Sequence, residues 1–309
     1  MIRLLELFGG IGACTKAFER LGIEFEIADY VEIDKYAVAS YNAIHSTNFS
    51  PQDIRTWNKD LDVDLIMHGS PCQDFSLAGY NKGGDQDSGT RSSLMYETIR
   101  IVEKLKPKYV IWENVKNILS EQHKHNFDKY LYKMNELGYD NYFQVLNAKD
   151  FEIPQNRERV FTVSIRKDIG HGFVFPQKRE LKLRLKDLLE DEVDKKYFLS
   201  EKMKDYVLSS GTKNFYYKPE IDLEIARPLT SSMTKMHRAG TDNYISQPYI
   251  PIKNANKKGY EEAYEGDSIN LQYPSSETRR GRVGHEVAQT IQTKANMGVV
   301  VNDKGNKHE

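Results

Sequence analysis

Ile2-Arg3-Leu4-Leu5-Glu6-Leu7-Phe8-Gly9-Gly10-Ile11-Gly12 opens the chain as an apolar run ending in a glycine cluster. Residues 2–8 read as a strand, Gly9-Gly10-Ile11-Gly12 as a tight turn, and residues 14–21 as a helix stopped by Gly22. Glycine suits a sharp turn, and it also lets a ligand approach the backbone at the start of a helix, where N–H groups lack partners. Both readings stand at this point.

The pattern repeats outward. Residues 25–31 predict a second strand, followed by Glu32-Ile33-Asp34 and a helix over 35–43. Residues 64–68 predict a third strand and 91–105 a helix, with apolar positions at Leu94, Ile99, Ile101, Val102 and Leu105. Residues 109–112 predict a fourth strand and 126–137 a helix ending at Gly138. Such alternation implies an α/β fold with a doubly wound, mostly parallel sheet. Two Val-, Phe- and Thr-rich runs, 142–148 and 160–165, flank Pro154-Gln155-Asn156-Arg157-Glu158-Arg159 and predict a hairpin-like end to the sheet. Beyond Pro176 the periodicity fades, apart from a helical stripe over 181–192 at Leu185, Leu188 and Leu189. The expected division is a regular α/β domain over 1–176 and a smaller, irregular region over 177–309.

Composition narrows the function classes. Charge is balanced, with 44 Lys+Arg against 45 Asp+Glu, so a polyanionic partner must be met by a local basic face. Two cysteines, Cys14 and Cys72, exclude a disulfide framework or a cysteine-rich metal site, and the eight histidines show no zinc spacing with them. No metal is called for. The apolar start is too short for a signal or a membrane span, and the cytoplasm is the expected location.

The chemistry sits at the ends of the predicted strands. Glu32 lies about 20 residues past the glycine turn, where nucleotide-binding folds hold ribose hydroxyls. The alternative is a solvated surface acid. The turn lacks the full G-x-G-x-x-G spacing, which fits an adenosyl ligand without a pyrophosphate. Cys72, in Gly69-Ser70-Pro71-Cys72-Gln73-Asp74-Phe75-Ser76, follows the third strand and is placed for attack on a ligand, although a lone cysteine is often a buried structural thiol. Glu113, in Trp112-Glu113-Asn114-Val115, leaves the fourth strand in an apolar setting expected to raise its pKa, or else caps the next segment. A thiol and a proton-holding carboxyl at neighbouring strand ends suit addition to an electron-poor ring.

Taken together, Phe8-Gly9-Gly10-Ile11-Gly12, Glu32, Asp53-Ile54, Pro71-Cys72-Gln73, Glu113-Asn114-Val115 and Gln155-Asn156-Arg157-Glu158-Arg159 resemble, in order, the motifs of the C5-cytosine DNA methyltransferases. The resemblance implies a Rossmann-like S-adenosylmethionine-dependent methyltransferase fold acting on double-stranded DNA. It implies that Phe8, Gly9, Gly10, Ile11, Gly12 and Pro71 shape the cofactor pocket. Glu32 would hold the ribose, Ile33 would pack on the adenine, and Asp53 with Ile54 would read its edge. Cys72 would add to C6 of a flipped cytosine, since neither face of a stacked base is reachable. Glu113 would serve N3, while Arg157 and Arg159 would hold the base and a phosphate and favour the Cys72 thiolate. Alternatively these arginines form an ion-pair set with Glu158. Gln73, Ser76, Arg91, Asn114, Gln155, Arg280 and Arg282 are expected to meet DNA, the last two from a basic cluster in a target-recognition region that also offers Lys235, His237, Arg238 and Arg279.

One departure stands out. Arg227-Pro228-Leu229-Thr230 starts like the family's penultimate motif, but Ser231-Ser232-Met233-Thr234 does not continue it, and no Gly-Asn-x-Val segment follows. The expectation is that a second polypeptide supplies the missing segments. RNA methylation and a silent DNA-binding subunit are the alternatives.

Overall fold

Successive apolar residues in the first strand point to opposite sides of one sheet, and each side is closed by its own helices. In the computed structural model the elements are β1 (Ile2–Leu7), α1 (Ala13–Leu21), β2 (Phe25–Val31), α2 (Lys35–His45), β3 (Leu65–His68), α3 (Met95–Leu105), β4 (Tyr109–Val115), α4 (Lys124–Glu136), β5 (Tyr139–Asn147) and β6 (Glu158–Arg166). The structure describes residues 1–70, 94–170, 172–190, 193–212, 215–230, 233–235, 237–246, 250–254, 259–270, 281–285, 287 and 297–300.

The six strands form one sheet in the order β2-β1-β3-β4-β6-β5. Strands β1 to β4 are parallel, and β6 runs antiparallel to both β4 and β5, the hairpin-like end that the sequence predicts. The chain winds from β1 outward to β2, then returns to place β3 on the other side of β1. That reversal is a topological switch point, and open α/β sheets bind ligands outside the carboxyl ends of the strands there. The ends in question carry Phe8-Gly9 and Gly69-Ser70.

On one face Leu4 and Leu65 pack with Cys14 and Phe18 of α1, and Tyr30 packs with Val38 and Tyr41 of α2. On the other, Leu5, Leu7, Ile66, Val110 and Trp112 meet Ile99 and Val102 of α3 and Phe127 and Tyr130 of α4. Trp112 is 1% exposed. It stacks on His68 and Phe127, and its indole N–H donates to Ser70 Oγ at 2.9 Å. This bond fixes the end of β3 to β4. Burial pushes the His68 imidazole down to about 3, so it is a neutral core ring.

Over the described residues 181–190 the apolar stripe does not make an α-helix. The chain forms a single 3₁₀ turn, Leu185–Leu188, with Leu188 57% and Leu189 43% exposed. A helix this short is held by tertiary packing, and these two leucines stay exposed.

The chain clusters into two compact units, Met1–Asp191 with Glu224–Leu229, and Glu192–Leu223 with Thr230–Glu309. The short return segment is tied into the first unit: Ala226 N donates to Pro154 O at 2.8 Å and Asn156 N to Ala226 O at 2.8 Å. Among the described residues the second unit has one short α-helix, α5 (Glu201–Val207), and strands of two to four residues. Ile252, Ala263 and Val300 form its buried cluster.

Candidate active site

The glycine turn needs glycine at two positions for different reasons. Gly12 has φ +85°, and a Cβ there would lie 2.3 Å from His45 Nε2 and 2.7 Å from Tyr41 Cε2. Gly9 has ordinary φ, but a Cβ would meet Tyr30 Cε2 at 2.6 Å. Phe8 itself adopts φ +53°, a strained backbone of the kind that clusters at ligand sites. Helix α1 has no side-chain cap at Gly12. Its first N–H groups, at Cys14 and Thr15, instead reach the buried Glu6 carboxyl, whose pKa burial raises. Cys14 is also buried, and burial pushes its thiol well above the ordinary range, which leaves it inert.

Glu32, at the end of β2, is not a freely solvated acid. Its Oε2 accepts the Gly10 N–H at 3.2 Å and its Oε1 the Asp34 N–H at 2.9 Å. Each oxygen keeps a lone pair for a ligand hydroxyl. Tyr30 Oη donates to Gly10 O at 2.6 Å, so β2 holds the turn from two points. Ile11, Ile33 and Tyr36 are 59%, 61% and 72% exposed along these same strand ends. A close-approach turn, a carboxylate with spare acceptors and exposed apolar side chains together fit an adenosyl group.

Asp53 and Ile54 come from the connection between α2 and β3. Asp53 takes Arg55 in a paired grip, with Arg55 Nη2 at 2.6 Å from Oδ2 and Nε at 3.1 Å, and this hydrogen bonding holds its pKa below the usual carboxylate range. Ile54 is 5% exposed and packs in the core, and its carbonyl accepts from Arg100 Nη2 at 2.9 Å.

Glu113 shares the α1 side of β4 with Ile111, and its Oε2 lies 3.9 Å from where a Cβ on Gly69 would be. The carboxyl therefore stands beside the segment leading to Cys72. Its setting is not the apolar one the sequence suggests. Arg159 Nε approaches Glu113 Oε1 at 3.0 Å and Arg157 Nη2 at 3.4 Å, and the side chain is 33% exposed. The antiparallel register explains this triad: β6 enters beside β4 with Val115 opposite Arg159 and Glu113 opposite Phe161. Glu158 is not the arginines' ion-pair partner, since Lys116 Nζ holds it at 3.1 Å. Asn114 is 2% exposed; its Oδ1 accepts the Val115 N–H at 2.8 Å, and its Nδ2 has no hydrogen-bond partner among the described residues. Gln155 bridges to Ala226 of the return segment.

Pro71, Cys72, Gln73, Ser76, Arg91, Arg279 and Arg280 lie outside the described residues. Arg282 lies on the strand Arg282–Gly284 of the second unit, its side chain exposed. Arg238 lies over the Tyr206 ring at 4.9 Å and donates to Ser209 Oγ at 3.0 Å. No described helix is long and apolar enough to cross a membrane.

Comparison with known proteins points the same way. The family model for C-5 cytosine-specific DNA methylase matches residues 2–306. Type II methyltransferase M2.ScrFI of Lactococcus lactis subsp. cremoris is 37% identical, over 64% of this chain and 70% of that protein. The orphan methyltransferase M.Rho11sI of Bacillus phage rho11s is 34% identical over 65% of this chain and 46% of its own length. Type II methyltransferase M.HhaI of Haemophilus parahaemolyticus is 35% identical over 68% of this chain and 63% of its own. The chain thus spans about half to 70% of these relatives. Among solved structures, a mutant of Spodoptera frugiperda DNMT2 aligns with TM-score 0.63 at 21% identity, covering 80% of this chain and 75% of that one, which shows the fold.

Proposed function

The chain belongs to the C-5 cytosine-specific DNA methylase family, and from that premise we propose that it moves a methyl group from S-adenosylmethionine to C5 of a flipped-out cytosine in a specific DNA sequence. The observation that carries the reading is one sheet edge holding both halves of the chemistry. The glycine turn and Glu32 stand at the ends of β1 and β2, and Glu113 stands beside Gly69 at the ends of β3 and β4.

The bound cofactor supplies an electrophilic methyl group. The chain's own residues do the rest. Phe8, Gly9, Gly10, Ile11, Gly12 and Pro71 form the pocket wall, the spare lone pairs of Glu32 take the ribose hydroxyls, and Ile33 covers the adenine. Asp53, with the backbone of Ile54, reads the adenine edge. Cys72, as thiolate, adds to C6 while Glu113 hydrogen-bonds N3, and charge builds at C5. Methylation of C5 would release S-adenosylhomocysteine; a solvent base then takes the C5 proton, Cys72 leaves as thiolate, and the ring is restored. Arg157 and Arg159 orient Glu113 and contact the base and its phosphate. The thiol that attacks is Cys72, because Cys14, on the inner face of α1, is buried.

Duplex DNA is the proposed partner, met by Gln73, Ser76, Arg91 and Gln155 from the first unit and by Arg280 and Arg282 from the second; Asn114, 2% exposed, is not on that surface. Residues 177–309 serve as the target-recognition region, where Arg reads guanine in the major groove. The finer proposal is that a segment on a second polypeptide completes the cofactor site, and that the reaction runs in the cytoplasm.

The test is transfer of labelled methyl from S-adenosylmethionine to duplex DNA, single-stranded RNA and DNA with 5-methylcytosine throughout. Label in unmodified duplex alone supports the reading. Label in RNA alone moves the substrate class, and label in fully 5-methylated DNA contradicts C5 as the acceptor.

A further inference from the structure

A carboxylate inside an apolar core is costly unless donors converge on it, and Asp29 of β2 meets that condition with donors from a single segment. Asp29 is 3% exposed. Its Oδ2 accepts Trp57 Nε1 at 2.7 Å and Lys59 Nζ at 2.7 Å, and its Oδ1 accepts Gln52 Nε2 at 3.0 Å. All three donors bracket Asp53-Ile54.

The strand is built to aim this carboxylate. Leu4 pairs with Ile27 but Leu5 pairs with Asp29, so Ala28 is an extra residue in β2. In a regular strand Asp29 would share the face of Ile27, which packs towards Tyr30 and Tyr41. The bulge moves it to the opposite face, where Trp57 lies in the main core. The segment it grips has little structure of its own beyond a turn at Asp53. Two further clamps complete the hold: Gln52 N donates to Glu32 O at 2.8 Å, and Arg100 Nη2 donates to Ile54 O at 2.9 Å and Trp57 O at 3.0 Å.

We propose that Asp29 is a positioning residue for cofactor recognition: through Gln52, Trp57 and Lys59 it fixes the Asp53-Ile54 backbone at the height where adenine is read. This rests on the reading that Asp53 and Ile54 meet the adenine. It assigns the discrimination of the adenine 6-amino group to a residue that does not touch it.

The experiment is calorimetric binding of S-adenosylhomocysteine, and of S-inosylhomocysteine, which carries oxygen in place of that amino group, to the parent protein and to Asp29→Asn. Binding of the first ligand to the parent tests the cofactor reading itself. Given that binding, Asp29→Asn is expected to weaken S-adenosylhomocysteine about tenfold and S-inosylhomocysteine less than about twofold, which shrinks the ratio of the two affinities. kcat at saturating S-adenosylmethionine should stay within about twofold while KM rises. Equal weakening of both ligands, or no weakening, overturns the proposal. Trp57→Phe keeps the ring in the core and removes only one donor, so it gives a second reading should Asp29→Asn fold poorly. The same selective loss, about threefold, supports the inference, and an unselective one overturns it.

Discussion

The two ends of the sheet edge use opposite means to hold their groups. At β1 and β2 the turn is fixed by single hydrogen bonds and by close packing: Gly10 N–H on Glu32, Tyr30 Oη on Gly10 O, and Gly9 and Gly12 where a Cβ would collide. At β4 and β6 the holding is done by charge, with Arg157 and Arg159 on Glu113. The first arrangement is preorganised and needs no ligand to set it. The second presents charged groups in a third-exposed site, where the proposed reading has a flipped base and its phosphate take over the arginines. Binding of the cofactor and chemistry on the base should therefore separate cleanly under mutation.

The largest expected effect is at the charged end. Glu113→Gln keeps the shape but removes the ionisable group, and should cut the methyl-transfer rate by about 10²–10⁴-fold. S-adenosylhomocysteine binding by calorimetry should stay as in the parent; a parallel loss of binding would break the contrast. Gly12→Ala should do the reverse. It forces a Cβ into His45 and Tyr41 at positive φ, costing about 2–3 kcal/mol in urea unfolding and weakening cofactor binding. Glu32→Gln comes next, with a loss of about tenfold in cofactor affinity, since a hydrogen bond to a charged group is worth about 1.5–3 kcal/mol. A rate loss at saturating cofactor would blur the division. The smallest effect belongs to Lys116→Ala. Its pair with Glu158 is exposed on both sides, and unfolding should shift by about 0.5 kcal/mol or less.

The sequence makes the parallel part of the sheet readable because apolar runs alternate with helical stripes and stop at glycine or proline. It makes Glu32 and Glu113 readable because each follows such a run directly. What hides is long-range pairing. Nothing local marks Ala28 as a bulge or Asp29 as buried, since a single acid in a strand looks like a solvent-facing residue. The company that Glu113 keeps depends on β6 entering beside β4, 44 residues on from it at Arg157. The return of Glu224–Leu229 to the first unit is equally silent, being a non-local backbone bond at Ala226. Leu185, Leu188 and Leu189 err the other way: the spacing is helical, but Leu188 and Leu189 stay exposed. In the second unit, strands of two to four residues are too short to show a period.

The central claim is that Cys72 bonds to the target base, and a duplex carrying 5-fluorocytosine tests it most directly, because fluorine at C5 cannot leave as a proton does. With S-adenosylmethionine present, the account predicts a denaturation-resistant protein–DNA adduct that disappears in Cys72→Ser and persists in Cys14→Ser. An adduct that survives Cys72→Ser, or methylated duplex formed by that variant at the parent rate, would contradict it.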